Sequence, residues 1–339
     1  MNRPLGNTGR TLHPIGLGCM GMSWGYAEST RNDTSAIEVI RTAIDLGVTM
    51  IDTALVYGDG HNEHLVGRAL AGIRDGVTVA TKGGLIVEDL ATKSMRRNGT
   101  PTNLHLQIDE SLRRLQIDTI DLYYLHRVDE NVPLDDSWGA LADAVQAGKI
   151  RWLGLSEVTL AQAAQAHAQH PVTAIQSELS LWTRGPLGSD EQAEDNAVAA
   201  HGGAAATTNE DIVGWTMSND VSFLPFAPLG RGFLTGEVTA STHLDATDFR
   251  ASNPRFQAEA MLRNEVITDA VAEVAKRNDA SAAQIAIAWV LAQSPNIVPI
   301  PGTRSEAHLV DNLGAANVEL DKSDMDRLDA LPAAFGSRY

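Results

Sequence analysis

The chain has 339 residues, 43% of them hydrophobic and 20% charged, which is the composition of an ordinary globular protein. Its formal net charge of −17 repels phosphate backbones and argues against nucleic-acid binding. No apolar run approaches the roughly 18 residues of a membrane span, and the first residues lack the apolar core of a signal peptide. Cys19 is the only cysteine, so internal disulfides are excluded and a reducing cytoplasm is the expected location.

The predicted elements begin with a hairpin and continue as strands that alternate with helices. Residues Arg3–His13, around Gly6-Asn7-Thr8-Gly9, predict a β-hairpin that could plug the bottom of a barrel. Short apolar runs then predict eight strands: Ile15–Met20, Val48–Ile51, Val77–Ala80, Ile120–Leu125, Ile150–Leu155, Thr173–Ile175, Val221–Pro225 and Ile297–Ile300. Amphipathic stretches between them predict helices, among them Thr34–Leu46, Asn62–Ala71, Asn103–Leu115, Asp136–Ala147 and Ser305–Leu313.

Eight strands alternating with helices predict an α/β fold, a parallel (β/α)8 TIM barrel formed by residues 1–339 as a single domain. Leu320–Leu331 is expected to add one C-terminal helix. Gly185–Glu210 is polar and rich in Ala, Gly and Thr, and predicts a variable loop insertion beyond the sixth strand. The long connection before the eighth strand contains two further helical patterns, Arg263–Arg277 and Ser281–Gln293, and its length is typical of a binding loop.

Four polar residues stand at or just beyond predicted strand ends: Asp52, Tyr57, Lys82 and His126. The carboxyl ends of barrel strands form one rim, so these side chains are expected to meet there. A phenol has a pKa near ~10, and a lysine ammonium within about 4–6 Å lowers it. A carboxylate would hold the lysine, and a histidine can hydrogen-bond a carbonyl oxygen. These residue types predict proton transfer to a carbonyl, with Tyr57 as the general acid.

Motifs along nearly the whole chain resemble the aldo-keto reductase superfamily, most closely its bacterial NADP-dependent oxidoreductases. The matching segments are Asp52-Thr-Ala-Leu-Val-Tyr57-Gly58 with Asn62-Glu63, Thr81-Lys82, Asp121-Leu-Tyr-Tyr-Leu-His126, 148–156, 228–236 and 300–304 with Asp311-Asn312. The resemblance implies metal-independent, NADPH-dependent reduction of a small-molecule aldehyde or ketone to an alcohol.

The resemblance also implies which residues bind NADPH. Ser156 and Gln176 would hydrogen-bond the nicotinamide carboxamide, and Phe226 would stack on the ring. The remaining cofactor residues would approach the pyrophosphate or the adenosine half: Leu229, Gly230, Gly232, Gly302, Thr303, Arg304, His308, Asp311 and Asn312.

Three positions depart from the family pattern. Glu157 follows the strand-5 serine where many relatives have Asn, and a carboxylate cannot donate a hydrogen bond to a carboxamide oxygen. His308 stands where relatives often have Arg or Gln, and Asp311 where they often have Glu. Arg304 is therefore expected to contribute most of the preference for a 2′-phosphate.

Two other motifs have competing interpretations. Gly16-Leu-Gly18-Cys-Met-Gly21 matches a dinucleotide fingerprint, but no helix starts at its third glycine, so we interpret it as a strand end turning beneath the substrate pocket. The pairs His61/His64 and His167/His170 have metal-like spacing without a third ligand and indicate solvated helix faces.

Two alternative functions compete with carbonyl reduction. A two-carboxylate glycosidase on the same barrel is left open by the fold but gives Tyr57 and Lys82 no role. An NADP(H)-binding redox-sensing or regulatory subunit with little turnover would use the same cofactor residues. Trp24, Leu55 and Trp182 are candidates for the wall of the substrate pocket, with core packing as the alternative. The sequence predicts neither the substrate nor the oligomeric state.

Overall fold

The structure, a computed structural model, describes residues 1–189 and 210–338. The strands are β1 Arg3–Pro4, β2 Thr11–Leu12, β3 Leu17–Gly18, β4 Met50–Asp52, β5 Thr78–Gly83, β6 Leu85–Asp89, β7 Ser94–Arg97, β8 Ile120–Leu125, β9 Ile150–Ser156, β10 Ala174–Gln176 and β11 Ser222–Phe223. The helices are α1 Asp33–Asp45, α2 His61–Leu70, α3 Pro101–Leu115, α4 Leu134–Gln146, α5 Leu160–Gln169, α6 Ile212–Ser218, α7 Ala258–Arg277, α8 Ala282–Gln293, α9 Glu306–Gly314 and α10 Lys322–Asp329.

A curled parallel sheet of seven strands forms the centre of the molecule, in the order β11-β10-β9-β8-β5-β4-β3. Residues 296–302 lie between its two outer strands, with bridges from Phe223 to Ile297 and from Gly18 to Gly302. This closing segment contains the eighth predicted strand and completes the circle. The predicted (β/α)8 barrel is therefore confirmed.

The closing segment is not a regular strand because two of its residues are prolines. Pro299 and Pro301 have no N–H and can only accept hydrogen bonds from the first barrel strand. Gly16 N–H donates to the Pro299 carbonyl at 2.9 Å, and Gly18 N–H donates to the Pro301 carbonyl at 3.1 Å. Pro299 and Pro301 therefore accept backbone hydrogen bonds from the first barrel strand and donate none to it.

The N-terminal hairpin of β1 and β2 fills the bottom of the barrel, as predicted. Its two strands pair in antiparallel fashion. Leu5 and Leu12 are fully buried and pack against the inward-facing Met50, Leu122 and Leu224. Burial of these side chains closes one end of the barrel, so the opposite rim is left for a site.

Local chemistry accounts for the helix boundaries. Each predicted helix is present within five residues of its expected ends, and α5 and α6 complete the set. Thr159 begins α5 and Ser281 begins α8, each in a capping box with a glutamine three residues later. Gly47 and Gly148 follow α1 and α4 with φ of 90° and 75°, a conformation that glycine adopts without strain.

A second hairpin, of β6 and β7, was not predicted. It follows β5 directly and pairs in antiparallel fashion with an irregularity between Val87 and Asp89. Leu85 packs with Leu55 and Val56 in a small apolar cluster that Tyr57 also contacts. The hairpin therefore forms a wall beside the tyrosine at the rim.

Two further expectations concern the loop Gly185–Glu210 and membrane-spanning helices. Within the predicted loop Gly185–Glu210, Gly185–Leu187 forms a 3₁₀ turn, and residues 190–209 lie outside the described residues. Among the helices of residues 1–189 and 210–338, none has the length and apolar character that a membrane span requires.

Candidate active site

The four predicted rim residues lie together at the carboxyl ends of β4, β5 and β8. Lys82 Nζ donates to Asp52 Oδ1 at 2.6 Å and to the Thr53 carbonyl at 2.8 Å. The same ammonium lies 5.3 Å from the centroid of the Tyr57 ring. The rings of Tyr57 and His126 meet edge to face, with centroids 6.2 Å apart. The structure thus brings an acid, a cation, a phenol and an imidazole into one site.

Lys82 is held in its charged form. Its side chain is fully buried, and burial alone would lower its pKa. Asp52 and Tyr57 favour the ammonium more strongly than burial disfavours it, so the pKa of Lys82 is raised overall. A buried, permanently charged ammonium therefore lies next to the phenol.

Tyr57 remains a neutral phenol at physiological pH. Burial raises its pKa above the ordinary value of 10.0, whereas Lys82 lowers it. Lys82 therefore lowers the pKa of Tyr57 as expected, but desolvation of the phenolate is the larger effect, so the pKa is raised overall. A protonated phenol is the form that can donate a proton.

His126 is a neutral imidazole. It is buried, and burial, followed by the charges of Arg127 and Lys82, holds its pKa well below 6.5. Its Nδ1 has no hydrogen-bond partner in the described part of the chain. A neutral ring has one N–H donor and one acceptor nitrogen, so His126 can hydrogen-bond a carbonyl oxygen without adding a charge.

Arg127 belongs to the site and was missed in the sequence. Its Nη1 donates to the His126 carbonyl at 2.6 Å and to Ser156 Oγ at 3.0 Å. The strand-end argument that selected His126 applies equally to the next residue and could have found it.

Asn62 and Glu63, at the start of α2, support the rim from behind. Asn62 Oδ1 accepts from Oγ1 of Thr53, the residue that follows the rim aspartate, at 2.5 Å. Glu63 Oε1 accepts from Oγ1 of Thr81, the residue that precedes the rim lysine, at 2.6 Å. Arg114 Nε donates to the other oxygen of Glu63 at 2.7 Å, in a buried ion pair. The strand ends are therefore fixed by hydrogen bonds that include a buried charge.

Ser156 and Gln176 lie side by side at the ends of β9 and β10. Both are buried. Gln176 Nε2 donates to Asp52 Oδ2 at 2.9 Å, so its amide nitrogen is held by the rim aspartate. This orientation leaves the side-chain oxygen Oε1 of Gln176 as a hydrogen-bond acceptor at the strand end.

Phe226 and the glycine-rich turn follow β11. Phe226 is half-buried on top of the barrel interior, and its N–H donates to the Ser177 carbonyl at 3.1 Å. In the turn, Leu229 is half-buried, and Gly230 and Gly232 have φ of 54° and 96°.

The candidates for the substrate wall are buried to different degrees. Trp182 is 1% exposed and stacks on Phe233 with centroids 4.3 Å apart, so it is a core residue in this structure. A side chain at Gly230 would come within 2.9 Å of its indole ring. Trp24 is 8% exposed and Leu55 is 5% exposed beside Tyr57.

The predicted adenosine residues lie at the closing segment and on α9. Gly302 and His308 are exposed, and Asn312 is buried. Arg304 Nη1 donates to the Ala27 carbonyl at 3.2 Å, and Thr303 Oγ1 accepts from Ser305 N–H at 3.0 Å. Asp311 Oδ2 accepts from Ser281 Oγ at 2.8 Å, a contact with the start of α8 that the sequence did not indicate.

The two motifs with competing interpretations have structural contacts. Gly18 ends β3, where a side chain would lie 2.8 Å from the Ile300 carbonyl. A short 3₁₀ turn, Met20–Met22, follows at the third glycine, and the first α-helix begins only at Asp33. His61 Nδ1 contacts Ser23 Oγ at 2.8 Å. Val172 N–H donates to His167 Nδ1 at 3.2 Å. Residues 1–189 and 210–338 contain no cluster of three or more His, Cys, Asp or Glu side chains arranged to bind a metal.

Comparison with known proteins agrees with this geometry. A probable aldo-keto reductase 1 of Glycine max is 36% identical over 339 residues, covering 99% of this chain and 90% of that protein. The solved structure of a glycerol dehydrogenase from Gluconobacter oxydans is 28% identical with a TM-score of 0.82, covering 97% and 94% of the two chains. An aldo-keto reductase from Klebsiella pneumoniae in complex with NADPH is 24% identical with a TM-score of 0.69, covering 96% and 93%. Residues 14–333 match the model of the Aldo/keto reductase family. The chain therefore belongs to the aldo/keto reductase family.

Proposed function

We propose that this protein reduces aldehydes or ketones to alcohols with NADPH and catalyses the reverse reaction with alcohols. The observation that carries the proposal is the neutral phenol of Tyr57 beside the charged Lys82 and the neutral His126. The structural likeness to a reductase crystallised with NADPH supports the choice of cofactor.

Each rim residue has a distinct part in the reaction. When bound, reduced nicotinamide supplies the hydride for the carbonyl carbon. Tyr57 donates its phenolic proton to the carbonyl oxygen, and Lys82 stabilises the phenolate that remains. Asp52 keeps Lys82 charged and in place through their 2.6 Å contact. His126 donates a hydrogen bond that orients the carbonyl oxygen toward the phenol.

The residues at the strand ends fit a nicotinamide carboxamide. Its NH2 group needs an acceptor, and the side-chain oxygen Oε1 of Gln176 would be that acceptor because Asp52 holds the side-chain nitrogen Nε2. Ser156 Oγ lies on the neighbouring strand end, and Phe226 supplies an aromatic face. Arg304 is the proposed partner of the 2′-phosphate, with Gly302 and Thr303 beside it. Leu229, Gly230 and Gly232 would approach the pyrophosphate, and His308, Asp311 and Asn312 would contact the adenosine half.

A steady-state assay beside a binding titration tests the proposal. We expect turnover of some members of a panel of aldehydes, ketones and quinones, with NADPH preferred over NADH because of Arg304. Nicotinamide fluorescence would give the Kd for each cofactor. Tight NADPH binding with negligible turnover across the whole panel would instead support the redox-sensing subunit.

The pH dependence follows from the raised pKa of Tyr57. Reduction requires the protonated phenol, so kcat for reduction should be constant through the neutral range and fall only above about pH 10. Alcohol oxidation requires the phenolate, so its rate should rise with pH over the same interval. Both profiles are measured with saturating cofactor. A decline of the reduction rate near neutral pH would contradict the assignment of Tyr57 as the titrating acid.

A further inference from the structure

A buried ionic cluster lies beside the strand ends that hold Ser156 and Gln176. Arg338 Nη2 donates to Glu157 Oε2 at 2.5 Å, and Arg338 Nε lies 3.8 Å from Glu178 Oε2. Arg231 Nη2 donates to the same oxygen of Glu178 at 2.9 Å. All four side chains are less than 10% exposed, at 4% for Arg338, 2% for each glutamate and 8% for Arg231. We call these four residues the tail cluster.

Glu157 connects the two strand ends that are proposed to bind the carboxamide. It directly follows Ser156 in a left-handed conformation, with φ of 53°. Its N–H donates to the Gln176 carbonyl at 2.9 Å, and its Oε1 accepts from Glu178 N–H at 2.9 Å. The backbone and side chain of Glu157 therefore set the spacing between Ser156 and Gln176.

The C-terminal segment that carries Arg338 is fixed by side chains of the long connection after β11. Asn253 Nδ2 donates to the Arg338 carbonyl at 2.9 Å, and Arg255 Nε donates to the Gly336 carbonyl at 3.0 Å. Asn264 Oδ1 accepts from Phe335 N–H at 2.8 Å. The guanidinium thus reaches Glu157 from an ordered segment, 181 residues away in sequence.

A carboxylate at position 157 needs this cation. Burying a charge without a partner is costly, whereas a paired and hydrogen-bonded charge is tolerated. Glu157 accepts from one backbone N–H, and Arg338 supplies the opposite charge. Without the guanidinium, the carboxylate would leave its position or draw in water, and the turn that ties Ser156 to Gln176 would relax.

We propose that Arg338 is a positioning residue for the nicotinamide end of NADPH: by pairing with Glu157, it holds Ser156 and Gln176 in the arrangement that binds the carboxamide. This inference rests on the proposed function. It assigns a cofactor-dependent task to the C-terminal segment, which lies outside the residues expected to touch NADPH.

The test compares NADPH with a ligand that has the same adenosine half but no nicotinamide, 2′-phospho-ADP-ribose. We expect Arg338→Ala to weaken NADPH binding about tenfold while the Kd for 2′-phospho-ADP-ribose stays at the wild-type value. The double variant Glu157→Asn, Arg338→Ala removes both charges and should recover most of the NADPH affinity. Arg327→Ala is the matched control. It removes an exposed ion pair with Glu273 near the same end of the chain and should change neither Kd.

Each result has a defined meaning. An equal loss of affinity for both ligands, or no loss for either, would overturn the positioning role. Thermal melting identifies variants that do not fold. If Arg338→Ala does not fold, Arg338→Lys takes its place, since it retains the charge but not the planar donor geometry. It too should lose affinity for NADPH and keep the wild-type Kd for 2′-phospho-ADP-ribose. Failure of the wild-type protein to bind NADPH would instead reject the proposed function, since Arg338 is judged only relative to wild type.

Discussion

Replacing Tyr57 with Phe is expected to lower kcat for carbonyl reduction by about 10²–10⁴-fold and to leave the Kd for NADPH unchanged. The substitution removes one oxygen atom and keeps the ring that contacts His126 and the small apolar cluster of Leu55 and Leu85. The loss should therefore be confined to proton transfer. Steady-state NADPH oxidation and fluorescence titration measure the two quantities separately.

Tyr123→Phe is the matched control for this experiment. Tyr123 is a fully buried phenol on the neighbouring strand β8, and it packs among the apolar side chains between barrel and helices. Its substitution should leave kcat at the wild-type value. Near-wild-type NADPH oxidation by Tyr57→Phe with a good aldehyde would contradict the proposed mechanism.

Replacing Glu63 with Ala is expected to reduce the free energy of unfolding by roughly 3–5 kcal/mol. Glu63 is fully buried and accepts from Arg114 at 2.7 Å and from Thr81 at 2.6 Å. Its removal takes the buried carboxylate from the Arg114 guanidinium, which keeps its 3.1 Å contact with the exposed Glu110, and leaves a buried hydroxyl without its acceptor. Because Thr81 precedes Lys82, kcat should fall as well. Equilibrium urea unfolding measures the change in stability.

The comparison for Glu63 is an ion pair that is open to solvent. Lys322 and Asp326 contact at 2.6 Å one turn apart on α10, with side chains 86% and 63% exposed. Lys322→Ala should not change the urea midpoint measurably, because solvent screens exposed pairs. Equal effects of the two substitutions would show that burial does not determine the strength of the Glu63 contact.

The sequence was sufficient to find the barrel and the four rim residues because both depend on local patterns. Apolar runs mark the strands, and a polar residue at a run's end must lie at the rim of a parallel barrel. The second hairpin escaped because the charged Glu88, Arg96 and Arg97 interrupt any apolar alternation in β6 and β7. The contribution of burial to the pKa of Tyr57 also requires the packed structure.

Contacts between distant segments account for the remainder of the site. Arg338 and Glu157 are 181 residues apart, and no periodicity or motif joins them. Similarly, the hydroxyl of Ser281 donates a hydrogen bond to Asp311, a residue that the family resemblance predicts to contact the cofactor. Such partners are set by how helices and loops pack around the barrel, and this information is absent from any local stretch of sequence.

The prolines of the closing segment give the barrel a preferred line of opening. A closed parallel barrel leaves no strand edge for another chain to pair with, but here, within residues 1–189 and 210–338, the last junction depends on the N–H groups of Gly16 and Gly18. Segments with few backbone hydrogen bonds to break open at a lower free energy than the rest of a fold. Gly18 faces Gly302 across that junction and pairs with Asp52 on its other side, so the first part of the barrel to loosen would lie between the rim aspartate and the residues proposed to contact the adenosine half.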